Sequence, residues 1–158
     1  MFRRVISASL LLVLTALGTS ACNMLSPVAS MIEYAPSDGT QGDFGGLKAR
    51  NVMILTDHEH SALFGAFANE SSKKLDFAVG YLDEKKNMQW RLVTVDPYKV
   101  LNFGYQGEKP LKISKKVDAG SIEKVTLGDD EGTFDLNVPV LDDSLPQYKE
   151  LVANLKNL

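Results

Sequence analysis

The chain has 158 residues, 44 % hydrophobic, 8 % aromatic and 23 % charged, with a formal net charge of −3. Such a length suits one domain plus a segment at an end, and the ordinary composition excludes wholesale disorder, a collagen-like repeat and a coiled coil. The acidic balance leaves no basic footprint for nucleic acid, and a single cysteine excludes an internal disulfide framework and a multi-cysteine metal site.

Residues 1–21 read as an export signal. Met1-Phe2-Arg3-Arg4 is a short basic segment, and the uncharged run Val5 to Leu17 follows it. Thirteen residues suit a signal-peptide core and are too short to span a bilayer comfortably as a helix. Small residues, Gly18-Thr19-Ser20-Ala21, lead into Cys22, the chain's only cysteine. This arrangement resembles a bacterial lipoprotein precursor, cleaved between Ala21 and Cys22 after lipidation of the cysteine thiol. The resemblance implies that Cys22 carries acyl chains of the palmitate class and tethers the protein to the extracytoplasmic face of the cell membrane. Each buried methylene contributes about 0.8 kcal/mol, so two or three chains hold far more firmly than one. The family usually has Leu where Thr19 stands. Thr19-Ser20-Ala21 also meets the small-x-small rule of an ordinary signal peptidase, which would release a secreted form with a free thiol. Loss of residues 1–21 removes Arg3 and Arg4 and takes the net charge from −3 to −5.

Residues 22–46 hold two prolines and several Gly, Ser, Asp and Thr without apolar period, which predicts a tether; within it Met31-Ile32-Glu33-Tyr34 is a candidate docking patch. From Leu47 onward the chain changes to short apolar runs separated by turn signals. Leu47–Leu55 and Ala62–Ala68 flank the polar Thr56-Asp57-His58-Glu59-His60. Leu75, Phe77, Val79 and Tyr81 then alternate with mostly small or polar neighbours. After a turn at 83–87, Met88, Trp90, Leu92 and Thr94 alternate with Gln89, Arg91, Val93 and Val95. Tyr98–Phe103, Leu111–Val117, Ser121–Leu127 and Thr133–Leu141 complete the series, and Gly104 to Pro110 reads as an exposed loop. This pattern predicts a mainly β fold, an immunoglobulin-like or cupredoxin-like antiparallel β-sandwich over residues 47–143. Pro139 is expected on an edge or at a bulge, since it lacks an amide donor. In the tail, residues 144–158, Tyr148, Leu151, Val152 and Leu155 form the stripe of an amphipathic helix that packs on the sandwich or binds a partner, and Ser144-Leu145-Pro146-Gln147 fits a capping box.

Chemistry has few places to sit. His58 and His60, two apart on extended chain, point the same way and suit one metal ion; Met53 and Met88 supply the thioethers that favour copper(I). The same segment also reads as a solvated acidic turn. A Ser-His-Asp constellation needs residues from separate elements, whereas both histidines share one loop, and no Gly-x-Ser-x-Gly elbow occurs. The acids Asp129-Asp130-Glu131 and Asp142-Asp143 sit among turn residues and do not match a calcium loop. Asn69-Glu70-Ser71 has the form of a glycosylation triplet.

The segments Tyr34-Ala35-Pro36-Ser37-Asp38-Gly39, Leu47 to Leu55, Gly65-Ala66-Phe67-Ala68-Asn69 and Val138-Pro139-Val140-Leu141 resemble small actinobacterial lipoproteins distantly related to the periplasmic copper chaperone family. That resemblance implies the sandwich fold. The chaperones' widely spaced Met and His ligands include a His-x-Met pair, which this sequence lacks. The expected function is therefore a non-catalytic, membrane-anchored envelope lipoprotein that presents a binding or structural domain to an envelope protein partner and needs no cofactor. An extracytoplasmic copper chaperone is the alternative, and an exported hydrolase ranks third.

Overall fold

The computed structural model describes residues 36–158, so the signal segment, Ala21, Cys22 and the 31–34 patch lie outside the described residues. Among the described residues nine strands follow in chain order: β1 (Thr40–Phe44), β2 (Leu47–Thr56), β3 (Ser61–Asn69), β4 (Leu75–Leu82), β5 (Met88–Val95), β6 (Val100–Phe103), β7 (Leu111–Ile113), β8 (Ile122–Gly128) and β9 (Thr133–Leu141). They form one curled, hydrogen-bonded ribbon in the order β5-β4-β8-β9-β2-β3-β6, with β1 on β2 and β7 on β3. The fold is mainly β, and its two halves pack face to face around a common core. All pairings are antiparallel except β2 with β9, which is parallel at Ile54–Val140 and Leu55–Leu141.

The core follows from period-two patterning interrupted once. Phe77, Val79 and Tyr81 on β4, Val125 and Leu127 on β8, and Leu136 and Val138 on β9 point inward from one half. Leu63 and Phe67 on β3 meet them from the other, with the Phe67 ring 5.6 Å from that of Phe77. On β2 the inward residues are Leu47 and Ala49, then Val52 and Ile54, so the parity changes partway along the strand. The cause is a bulge. The β2–β3 register slips by one between Arg50 and Met53, and Asn51 adopts φ 50°. Opposite it, Gly65 has φ 154°, and a Cβ there would lie 3.1 Å from Val52 Cα, so only glycine fits without displacement. Beyond the bulge Met53 and Leu55 face the other way and join Ala62 and Phe64 in a second apolar cluster.

That second cluster is covered by the tail, α1 (Lys149–Ala153) flanked by single 3-10 turns at Pro146–Tyr148 and Leu155–Asn157. Tyr148, Val152 and Leu155 are buried and Leu151 is partly so, in keeping with the amphipathic stripe. The expected capping box does not form: Leu145 holds the cap position and makes no side-chain bond to the first turn. The tail is fixed instead by Tyr148, whose hydroxyl donates to Asp38 Oδ2 at 2.7 Å, with Gln147 Nε2 at 3.3 Å from the same oxygen.

Two further expectations are corrected. The composition predicts a tether as far as residue 46, yet β1 occupies Thr40–Phe44. Its sequence, TQGDF, has no apolar period because it gains its place through the ladder with β2 and through Asp43, which meets Lys48 Nζ at 2.6 Å and Arg50 Nη1 at 2.5 Å. Pro139 lies on neither an edge nor a bulge. It sits where β9 leaves one half of the ribbon for the other: Pro139 pairs with Ile122, and the next residue, Val140, pairs with Ile54. Val140 donates to Ser121 O at 3.0 Å and accepts from Gly120 N–H at 2.8 Å. Its neighbour therefore turns its missing donor toward β2, just short of where that ladder begins.

Candidate functional site

Among the described residues, strand β5 pairs only with β4, and no strand among them pairs with its other backbone edge. Its parity follows from its last residues: Val95 is buried and Val93 half-buried, which places Met88, Trp90, Leu92 and Thr94 on the outer face. Trp90 is 47 % exposed and Leu92 88 %. Strand β4 supplies the floor. Its large residues turn inward, leaving Ala78 opposite Leu92 and Gly80 opposite Trp90. A Cβ on Gly80 would lie 2.5 Å from the indole, so glycine at this position lets the ring lie across β4. The resulting groove, about 370 Å³, is walled by Trp90 and Leu92 and rimmed by Asp76, Asp129 and Asp130. Asp76 Oδ1 accepts from the Thr94 hydroxyl at 2.5 Å, and Asp129 Oδ1 accepts from the backbone N–H groups of Glu131 and Gly132.

The inner side of β5 borders a second opening. Here the two ends of the ribbon, β5 on one side and β6 with β7 on the other, leave a cleft of about 510 Å³. Val93, Leu101, Phe103 and Leu111 form its apolar wall and stay half-buried, because nothing among the described residues covers them. Arg91, Lys109 and Lys112 stand around it beside Asn157 and Leu158, and among the described residues no Asp or Glu side chain lines it. Lys112 Nζ also donates to Leu158 O at 2.8 Å. One strand thus separates an apolar groove with an acidic rim from an apolar cleft with a basic one.

The residues singled out for metal binding stand elsewhere. His58 and His60 occupy the β2–β3 turn, with His58 exposed at φ 72°. His60 Nδ1 lies 3.0 Å from Asp57 Oδ2, and Asp57 Oδ1 accepts from the backbone N–H groups of Glu59 and His60. Partial burial works to raise the Asp57 carboxyl, but these bonds outweigh it and hold the group below the usual carboxylate range. The turn is anchored on Thr56, whose buried hydroxyl accepts from His58 N–H and the Ser61 hydroxyl and lies 3.2 Å from both the His60 and the Val117 carbonyl oxygens. Met53 is fully enclosed in the tail-covered cluster, its sulfur 4.0 Å from the Tyr105 hydroxyl, whereas Met88 is exposed on β5. Among the described residues, no three His, Cys, Asp or Glu side chains gather as a metal would require. The geometry assigns the acidic histidine segment to turn formation.

Asn69 also has a structural task. Its buried amide nitrogen donates toward the carbonyls of Lys73, Val95 and Asp96, and its oxygen accepts from the Ser71 N–H and hydroxyl. A glycan cannot be accommodated there in the folded chain. The groove and cleft escape the sequence pattern because both faces of β5 carry apolar residues. The signal that marks the outer face lies on β4, in the small Ala78 and Gly80 between Phe77, Val79 and Tyr81. A scan against protein-family models finds no match for the chain, and a search of curated proteins finds none either.

Proposed function

We propose that the protein is a non-catalytic envelope lipoprotein, tethered through Cys22, whose sandwich serves as a binding domain on the extracytoplasmic face of the cell membrane. Strand β5, with the groove and cleft that flank it, is the binding element. One observation carries this reading: Met88, Trp90 and Leu92 hold large apolar surface in water on a strand whose outer edge no described strand pairs, where a domain without a ligand or partner gains nothing from it. The lipoprotein-like run ending at Ala21-Cys22 supports the anchor.

The test replaces Cys22→Ala in cells of the producing organism and follows the protein through fractionation, with protease added to intact spheroplasts. The parent chain is expected in the membrane fraction and to be cleaved by external protease; the variant is expected in the soluble exported fraction. A variant that stays with the membrane removes the anchor, and a parent chain shielded from external protease removes the extracytoplasmic placement.

A further inference from the structure

We propose that the cleft between β5 and the β6–β7 end of the ribbon binds a single-chain anionic amphiphile of the fatty-acid class. Its tail lies along Val93, Leu101, Phe103 and Leu111, and its carboxylate meets Arg91 and Lys109. The inference deepens the binding-domain reading and rests on it.

Three features select this ligand. The first is size: about 510 Å³ falls within the range of small-molecule pockets, roughly 300–1,000 Å³, and far below what a folded partner needs. The second is the character of the wall. Val93, Leu101, Phe103 and Leu111 pack against the main core yet stay half-exposed, so an apolar chain placed there completes burial that the described residues leave unfinished. Each methylene so buried strengthens binding about fourfold, which favours a long chain over a short one. The third is charge. Arg91 shares the inner parity of Val93 and stands beside the cleft with Lys109, while Lys112 is engaged by Leu158 O, and among the described residues no Asp or Glu side chain lines the opening. A guanidinium matches the two oxygens of a carboxylate, and the exposed rim keeps that head near water. The groove across β5 reverses the sign, with Asp76, Asp129 and Asp130 on its rim, so an anionic amphiphile is directed to one side of the strand.

The test uses the exported Cys22→Ser chain, so that no covalent acyl group competes, and 11-(dansylamino)undecanoic acid as the probe. Trp90, the only tryptophan, is the energy donor. Saturable one-to-one binding is expected, displaced by oleate, with oleyl alcohol at least tenfold weaker and inorganic phosphate without effect. Arg91→Gln combined with Lys109→Gln, both at exposed positions, is expected to weaken binding at least tenfold with an unchanged melting curve. Leu111→Phe, which narrows the cleft without adding charge, is expected to weaken it through the tail alone. Oleyl alcohol binding as well as oleate, an unaltered affinity in the double variant, or binding only to phosphatidylglycerol vesicles overturns the inference. Failure here with Cys22-dependent membrane attachment intact leaves the anchored-domain reading standing. Attachment that persists without Cys22 removes the anchor and leaves the cleft result untouched.

Discussion

Strands β2 and β5 are both apolar on two faces, yet the protein treats them in opposite ways. In β2 the residues from Val52 to Leu55 are buried on both sides, Val52 and Ile54 by the facing half of the sandwich and Met53 and Leu55 by the tail. In β5 only Val95 is fully buried, and Trp90 and Leu92 look outward from a strand with one neighbour among the described residues. An apolar run therefore marks burial only when the topology supplies a cover, and where it does not, the same composition marks a surface held for something else.

The contrast can be broken first at its covered end. Phe64 shares the tail-covered cluster with Met53 and packs edge-on against Tyr105, with ring centroids 5.8 Å apart. Phe64→Ala is expected to destabilise the domain by about 4 kcal/mol in urea unfolding, through lost transfer energy and the cavity left behind. Next comes the fastening between covered and uncovered regions. Asn69, at the end of β3, holds the carbonyls of Val95 and Asp96 at the end of β5. Asn69→Ala strands those groups and is expected to cost about 3 kcal/mol, with the amides at the end of β5 losing protection against hydrogen exchange before those of β2.

Smaller effects sharpen the comparison. Tyr148→Phe removes the bond from the tail to Asp38 and is expected to cost about 1 kcal/mol by thermal unfolding. Burial first, and the neighbouring Asp38 second, push the Tyr148 phenol well above its ordinary value of 10.0. A raised phenol stabilises the fold fully below pH 10 and loses that contribution as pH rises through the folded value, so the variant should unfold less steeply with alkali. At the acid end, Asp43 is held low by Arg50 and then Lys48, Asp83 by the Asn87 backbone N–H, and Asp135 by Lys124 and then Thr126. Their contribution is complete above about pH 4 and lost as pH falls through their depressed values; urea midpoints at pH 5 and pH 3 should show the drop. Smallest of all, Leu92→Ser is expected to change stability by less than about 0.5 kcal/mol, since its side chain is almost wholly in water. A larger loss would show that β5 is covered after all.

Much of this architecture is legible in the residues alone. The alternation of Phe77, Val79 and Tyr81 fixes β4 and its inward face, and the tail's stripe of Tyr148, Val152 and Leu155 locates its buried side. Strand β1 is not legible, because TQGDF carries no hydrophobic period and depends on partners from β2. Nor is the bulge at Asn51, a one-residue slip that depends on Gly65 across the ladder. The site is harder still. His58 and His60 draw attention because histidines are rare and chemically versatile, whereas the backbone N–H groups of both and the ring of His60 serve a turn held by Thr56 and Asp57. Trp90 is visible as a strand residue, but its exposure depends on what lies opposite, a fact written on β4 and readable only once the pairing is known.

The ribbon that begins at β5 and ends at β6 is continuous through β9, so the described residues form an almost completed ring whose two ends, unpaired among those residues, face each other. In an antiparallel pair only alternate amides point at the neighbour, so half of the amides of β5 turn toward the gap, where no described strand receives them. The strand therefore carries a built-in isotopic signature: amides directed at β4 exchange slowly with solvent deuterium, and those directed at the gap exchange quickly. Any occupant that closes the ring by strand addition must slow the fast set at every second residue, whereas one that fills the interior slows both sets together. The pattern of exchange along β5 thus distinguishes a peptide from a small molecule even when the identity of the occupant is unknown.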